Sequence, residues 1–323
     1  MKRFREQYLK KLRVGGITLD SNVLMAPLAG YTCYPFRVMC RKLGAGLCFT
    51  EMVSANGLKF NDKATAKLLY TDAAESPRAV QLLGSVPAAF EAACRGAYTA
   101  DYDIIDINMG CPVPNIIKSG EGCALTGNLP LASRIIEACK RSGKIVTVKC
   151  RPGMHPGSVV ISEFAKMCED SGADMITVHG RTRNMMYDGA PVYEYIAAAK
   201  RTVQIPVIAN GGIYSEEDAV RMMENTGADG VMIARCGLEN PLLFAELTGT
   251  QTDEDKLSLI TGQTDLAEAC FDELAAMNYI KSLASYFMKK MPGTKQFKQA
   301  LYRCGNMREL RALTAQIFGE TEK

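Results

Sequence analysis

Eight short apolar runs punctuate this sequence, and their spacing limits the fold more than any other feature. They are VLMAP (23–27), LCFTEM (47–52), RAVQLL (78–83), DIIDIN (103–108), IVTVK (145–149), DMITVH (174–179), PVIAN (206–210) and DGVMIA (229–234). Each is β-branched or otherwise apolar and bounded by turn formers, as strands buried on both faces require. Between most of them lie amphipathic stretches such as PLASRIIEACKRSG and SEEDAVRMMENTGADG, the latter opened by Ser215 and Asp218 in capping-box spacing. Parallel strands need crossovers of that length. The pattern therefore predicts an α/β chain, a (β/α)8 TIM barrel; a doubly wound sheet, the alternative, usually needs fewer strands.

In a barrel of this kind the C-terminal strand ends build the site, so a polar residue there reads as functional. The ends supply Glu51, Gln81, Asn108, Lys149, His179 and Asn210, with Arg235 after the eighth run. Each alone is as well explained by a hydrogen bond in the core, but seven on one face predict a polar ligand pocket. Gly211 and Gly212 stand between a strand and a helix start, where bare N–H groups and the helix dipole can hold a phosphate, and Arg235 adds a cation. Lys149 at the barrel mouth could stabilise negative charge on a reduced flavin, and the amide of Gln81 could bond a polar ring edge. Physics alone allows flavin mononucleotide or a phosphorylated sugar. Cys111, between Gly110 and Pro112, sits where neither strand nor helix can continue, at the mouth of the barrel.

Composition excludes several classes. With 47% hydrophobic and 23% charged residues in 323, the chain can bury a full core and is neither disordered nor fibrous. The start, MKRFREQYLKKLR, has no apolar signal core, and no run approaches a membrane span, which leads us to expect a cytoplasmic protein without a membrane partner. Its twelve cysteines include no C-x-x-C pair, so no metal centre and no disulfide framework are expected.

The tail is different. After TGTQTDEDKLSLITGQTD the sequence reads as helices without strand patterning, and from 281 to 311 it holds eight Lys or Arg against the single acid Glu309. Tyr286, Phe287, Phe297 and Tyr302 are interleaved. Basic side chains neutralise phosphates and aromatics stack on unpaired bases, although a solvated basic face on a helical bundle gives the same pattern. The expected division is a barrel over 1–247 with a basic extension at 1–20, a linker over 248–265, and a helical RNA-binding domain over 266–323.

Taken in order, MAPLAGYTCYPFRVMCRKLGAG, TEMVSA, VQLLGS, INMGCPVPNIIKSGEGCAL, VTVKCRPG, TVHGRTR, PVIANGGI and DGVMIARCGLENPLLF closely resemble the successive motifs of the bacterial tRNA-dihydrouridine synthases. The resemblance runs from about residue 23 to 244 and more weakly to about 313. It implies an FMN-binding barrel with a small helical domain that reduces uridine to 5,6-dihydrouridine in tRNA, with NADPH as electron source. Position by position, it places flavin contacts at Pro27, Leu28, Ala29, Gln81, Lys149, His179, Asn210, Gly211, Gly212, Ala234 and Arg235. Asn108 and Arg151 fall at uracil-holding positions and Cys111 on the catalytic cysteine. Hydride then goes from flavin N5 to uracil C6, and Cys111, mostly a thiol at neutral pH, gives the proton to C5. Cys123 is expected to be structural. RNA contacts are expected from Lys281, Lys289, Lys290, Lys295, Lys298 and Arg303, in a monomer.

Two departures stand out: Gly212 replaces an aspartate common in relatives, and Ser282 a frequent histidine. The rivals are the same chemistry on ribosomal RNA, an FMN barrel reducing a free pyrimidine-like molecule, and a non-catalytic RNA binder. A basic helical tail would be superfluous to the second. The third has no need of Cys111, Lys149 and the glycine loop together.

Overall fold

The computed structural model describes residues 3–289 and 291–319. A first short hairpin, β1 (Leu12–Val14) and β2 (Ile17–Leu19), precedes the eight runs, which form β3 (Val23–Met25), β4 (Leu47–Ser54), β5 (Ala79–Leu83), β6 (Ile104–Met109), β7 (Ile145–Cys150), β8 (Met175–His179), β9 (Val207–Asn210) and β10 (Gly230–Ile233). These eight pair in parallel and close through β10 and β3 into a barrel. Alternation along the strands divides the core into two. Val23, Val80, Ile105, Val146 and Ile176 face the surrounding helices, whereas Leu24, Leu47, Phe49, Ala79, Ile104, Met175, Ile208 and Met232 fill the barrel interior.

The N-terminal segment is not a free basic extension. Leu12, Val14 and Leu19 join the interior cluster, so the hairpin plugs the floor at the N-terminal ends of the strands. Phe4 is fully buried, and its N–H donates to Glu216 Oε1 at 2.9 Å. Apolar side chains every few residues, hidden among lysines and arginines, place this segment away from the barrel mouth.

The expected linker is likewise shorter than its polar composition suggests. Helix Lys256–Cys270 begins inside it, started by a capping box in which Asp255 and Ser258 satisfy each other's backbone N–H groups. Buried Gln263 donates to the Pro35 carbonyl at 3.0 Å and fastens this helix to the barrel. Helices Glu273–Phe287, Thr294–Arg303 and Met307–Gly319 complete the tail. No helix among the described residues is long and apolar enough to cross a membrane.

Candidate active site at the barrel mouth

The strand register sets the site. Gln81, Asp106 and Thr147 are adjacent in neighbouring strands, as are Asn108 and Lys149, and His179 and Asn210. Asp106 accepts from Gln81 Nε2 at 2.7 Å and from Thr147 Oγ1 at 2.6 Å. Gln81 Oε1 accepts from Asn108 Nδ2 at 2.9 Å. Asn108 Oδ1 in turn accepts the N–H groups of Gly110 at 3.1 Å and Cys111 at 2.9 Å. A continuous hydrogen-bonded chain thus runs from the barrel interior to the backbone that carries the thiol.

Above this chain lies a cavity of about 310 Å³ lined by Pro27, Leu28, Ala29, Gln81, Asn108, Cys111, Lys149, Arg151, His179, Asn210, Ala234 and Arg235. Six of the seven polar strand ends converge there. Glu51 does not: β4 continues to Ser54 through a bulge, and Glu51 faces a neighbouring cavity instead. Gly211 and Gly212 line an adjoining pocket of about 90 Å³ with His179, Arg181 and Arg235. Gly211 has φ +119°, and a Cβ there would stand 2.8 Å from His179 Cδ2 and 3.3 Å from Arg181 Nη1. Only glycine leaves this cradle open. Beyond it Ser215 caps helix Glu216–Thr226 by accepting from Asp218 N–H, while the Asp218 carboxylate accepts from Tyr214 N–H, one residue short of a full capping box.

Electrostatics follow from burial. The Lys149 ammonium donates to Asn210 Oδ1 at 3.3 Å; burial, helped by the Arg151 charge, pulls its pKa down to about 8. Burial pushes Asp106 up to about 6, against its hydrogen bonds and the Lys149 charge. His179 is held well below its ordinary value by burial and by four surrounding cations, and its Nε2 lies 3.2 Å from Arg181 Nη1. Neutral, it accepts from that guanidinium. Cys111 is raised by burial and is a thiol at neutral pH.

Arg151 reaches the cavity, but Nη1 donates to the carbonyls of Thr182 and Met186, both at 2.9 Å, and Nε to that of Gly110 at 3.1 Å. It therefore also ties the loop after β8 to the cysteine loop. That loop supplies two residues that strand-end reasoning missed. Arg181 sits in TVHGRTR, two positions past the strand end, where that rule stops looking. Tyr187 follows Met186, which has φ +48°, and its ring centre lies 5.0 Å from the guanidinium of Arg235 and 5.5 Å from that of Arg151. No periodicity marks either position.

Cys123 is fully buried, its thiol 3.8 Å from the Gly153 carbonyl, and burial raises its pKa to about 11. Of the expected RNA contacts, Lys281 is internal: its ammonium donates to the Cys304 carbonyl at 2.8 Å. It lies on the packed face of its helix, which a count of charges does not distinguish. Lys289 pairs with Glu239. Lys295 and Arg303 are exposed, Lys298 is half-buried, and Lys290 lies outside the described residues. Among the described residues no cluster of His, Cys, Asp or Glu could hold a metal.

The chain is similar to known proteins. The dihydrouridine synthase family model matches residues 24–323. tRNA-dihydrouridine synthase B of Pseudomonas aeruginosa is 32% identical over 96% of this chain and 97% of its own. Probable tRNA-dihydrouridine synthase 1 of Synechocystis is 34% identical over 96% and 90%. Among solved structures, the old yellow enzyme from Trypanosoma cruzi shares the fold with TM-score 0.58 at 13% identity, covering 78% of this chain and 94% of its own. Histamine dehydrogenase from Rhizobium does so with TM-score 0.59 at 12% identity, over 81% and 51%.

Proposed function

Because the chain belongs to the dihydrouridine synthase family, we propose that it reduces uridine to 5,6-dihydrouridine in tRNA, with FMN as cofactor and NADPH as reductant. The observation that carries this reading is the placing of one protonated thiol, Cys111, on the wall of a cavity whose far end is an anion cradle.

The residues fit FMN. Gly211 and Gly212 leave room for a phosphate that a Cβ would fill, and Arg181 and Arg235 supply cations beside them. Pro27, Leu28, Ala29 and Ala234 line the neighbouring cavity with short or apolar surfaces suited to a flat ring, next to Gln81 and Lys149. Bound there, FMN supplies the hydride that reaches uracil C6.

The protein supplies the rest. Lys149, partly buried in the cavity wall, puts positive charge where a reduced flavin becomes negative. Asn108 fixes the Cys111 backbone, and Cys111 gives its proton to uracil C5 as general acid. Arg151 and Asn108 border the remaining space and hold the base. Burial raises the Cys111 thiol, which keeps it in the protonated form that this step uses. Phosphates of the RNA meet the exposed basic residues of the tail, Lys295 and Arg303 among them.

Incubating the protein with FMN, NADPH and unmodified tRNA transcript, then measuring dihydrouridine by mass spectrometry of the digested RNA, tests this reading. No dihydrouridine from protein that has bound FMN would refute it.

A further inference from the structure

A second cavity, of about 440 Å³, lies between the crossover after β4 and helix Glu273–Phe287, and it shares Ala29 and Tyr31 with the catalytic cavity. Its rim is aromatic and apolar. Tyr34 and Tyr70 meet edge to face, with ring centres 4.8 Å apart, while Tyr70 is 52% and Leu68 38% exposed. Besides Lys67 and the tyrosine hydroxyls, its polar groups are the Glu51 carboxyl, the Asn278 amide and the Ser282 hydroxyl, which lies 3.3 Å from Tyr31 OH. Burial raises the Glu51 carboxyl, although Gly30 N–H donates to it.

Cations border the cavity on one side. The segment 54–70 exposes Lys59, Lys63 and Lys67, with Phe60 beside Lys59. Acids stand nearby as well: Asp62, which caps helix Lys63–Lys67, and Asp72, which accepts from Tyr34 OH, stay ionised, and Asp272 and Glu273 are exposed at the start of the facing helix. Exposed aromatic faces, a few acceptors and donors at fixed points and a lysine rim are the elements by which proteins hold unstacked bases of single-stranded RNA.

We propose that this cavity binds a second nucleobase of the RNA, one flanking the target uridine, stacked on Tyr70 with its edge toward Glu51 and Asn278. The proposal rests on the function given above. A uridine drawn into the catalytic cavity must leave its stack, which frees its neighbours, and the shared wall at Ala29 and Tyr31 puts the second cavity within reach of the same strand. On this proposal part of the RNA-binding face belongs to the barrel, facing helix Glu273–Phe287 of the tail across the cavity.

The test uses full-length protein and unmodified tRNA transcripts in which each nucleotide flanking the target is replaced in turn by an abasic one. If the parent forms no dihydrouridine in the intact transcript, the functional reading fails and the cavity loses its ligand with it. Given an active parent, Tyr70→Ala should weaken RNA affinity about 5- to 150-fold, the worth of one stacked base, without changing the salt slope. Tyr70→Phe should retain the affinity. One abasic position should weaken parental binding by the same factor and leave Tyr70→Ala binding no weaker. Parental affinity in Tyr70→Ala, or fully additive losses at every abasic position, would overturn the proposal. So would a raised KM for NADPH in Tyr70→Ala with RNA affinity unchanged, since the cavity would then serve the reductant. Should Tyr70→Ala fold poorly, Asn278→Ala, on an exposed helix position, should relax discrimination among the four bases at that same position; undiminished discrimination counts against the site.

Discussion

Arg37 and Glu75 form a two-pronged ion pair inside the protein, Nε to Oε1 at 2.6 Å and Nη2 to Oε2 at 2.8 Å, with both side chains essentially inaccessible. Arg37 also donates to the carbonyls of Thr32 and Tyr70, each at 2.8 Å. The pair therefore pins the loop after β3 to the crossover after β4, two segments that wall the second cavity. Removing one partner strands a buried charge, so Glu75→Ala should destabilise the fold by about 3–5 kcal/mol in denaturant titration. A loss under about 1 kcal/mol would mean that solvent reaches the guanidinium.

Gly211→Ala tests the anion cradle. The substitution places a methyl group against His179 and Arg181 at a φ of +119° that side chains avoid. FMN affinity should fall by at least about tenfold, from about 1.4 kcal/mol of lost contact. Gly227→Ala, at φ +64° with open space around it, carries backbone strain without touching the cradle. It should lower stability by about 1 kcal/mol and leave FMN affinity unchanged. Equal FMN affinity in the two variants would place the phosphate elsewhere.

Lys149 gives a pH dependence with a definite sign. Its folded pKa of about 8 lies below the usual lysine value, so the ammonium form is present below that pH and is lost as pH rises through it. If the charge helps to hold the flavin, FMN affinity of the apo-protein should be steady near neutral pH and decline above about 8. Lys149→Met should bind weakly with no such decline. A parental profile flat across about pH 7 to 9 would show that the charge is not used.

How far these features were legible in the sequence depends on how local their cause is. Strand runs and their polar ends are written in consecutive residues, and so Gln81, Asn108, Lys149, His179 and Asn210 were found together. Asp106 lies inside one of those runs, but its role depends on Gln81 and Thr147 in adjacent strands, a relationship only register creates. Glu51 was misplaced because a bulge in β4 is not encoded by alternation alone. Lys281 was misread because a basic count carries no information on which side of a helix is packed.

RNA binding should separate the basic residues by exposure. Lys281→Met removes a tether to the Cys304 carbonyl, which should reduce stability but leave the salt dependence of RNA affinity unchanged. Lys295→Ala and Arg303→Ala, at exposed positions, should each lower the slope of log affinity against log salt by about 0.7 to 0.9. Should Lys281→Met flatten the slope instead, the helix must turn that ammonium outward when RNA binds.

The two cysteines of the loop after β6 separate chemistry from packing. The Cys123 N–H donates to the Cys111 carbonyl at 3.1 Å and closes the loop between them. Their thiols part: Cys111 lines the catalytic cavity and Cys123 faces the Gly153 carbonyl in the core. Cys111→Ala should leave FMN binding and its reduction by NADPH intact, because no cofactor-holding group is lost. The step expected to fail is delivery of the proton to C5. General acid catalysis is worth about 10² to 10⁴ in rate, so reoxidation of the reduced protein by unmodified tRNA, in a single turnover without oxygen, should slow by roughly that factor. Cys123→Ala removes the same volume from a packed site and should cost stability, on the order of 1 kcal/mol, with reoxidation near the parental rate. Parental reoxidation in Cys111→Ala would reduce that thiol to a packing residue, and a slow Cys123→Ala would transfer the acid to the other end of the loop.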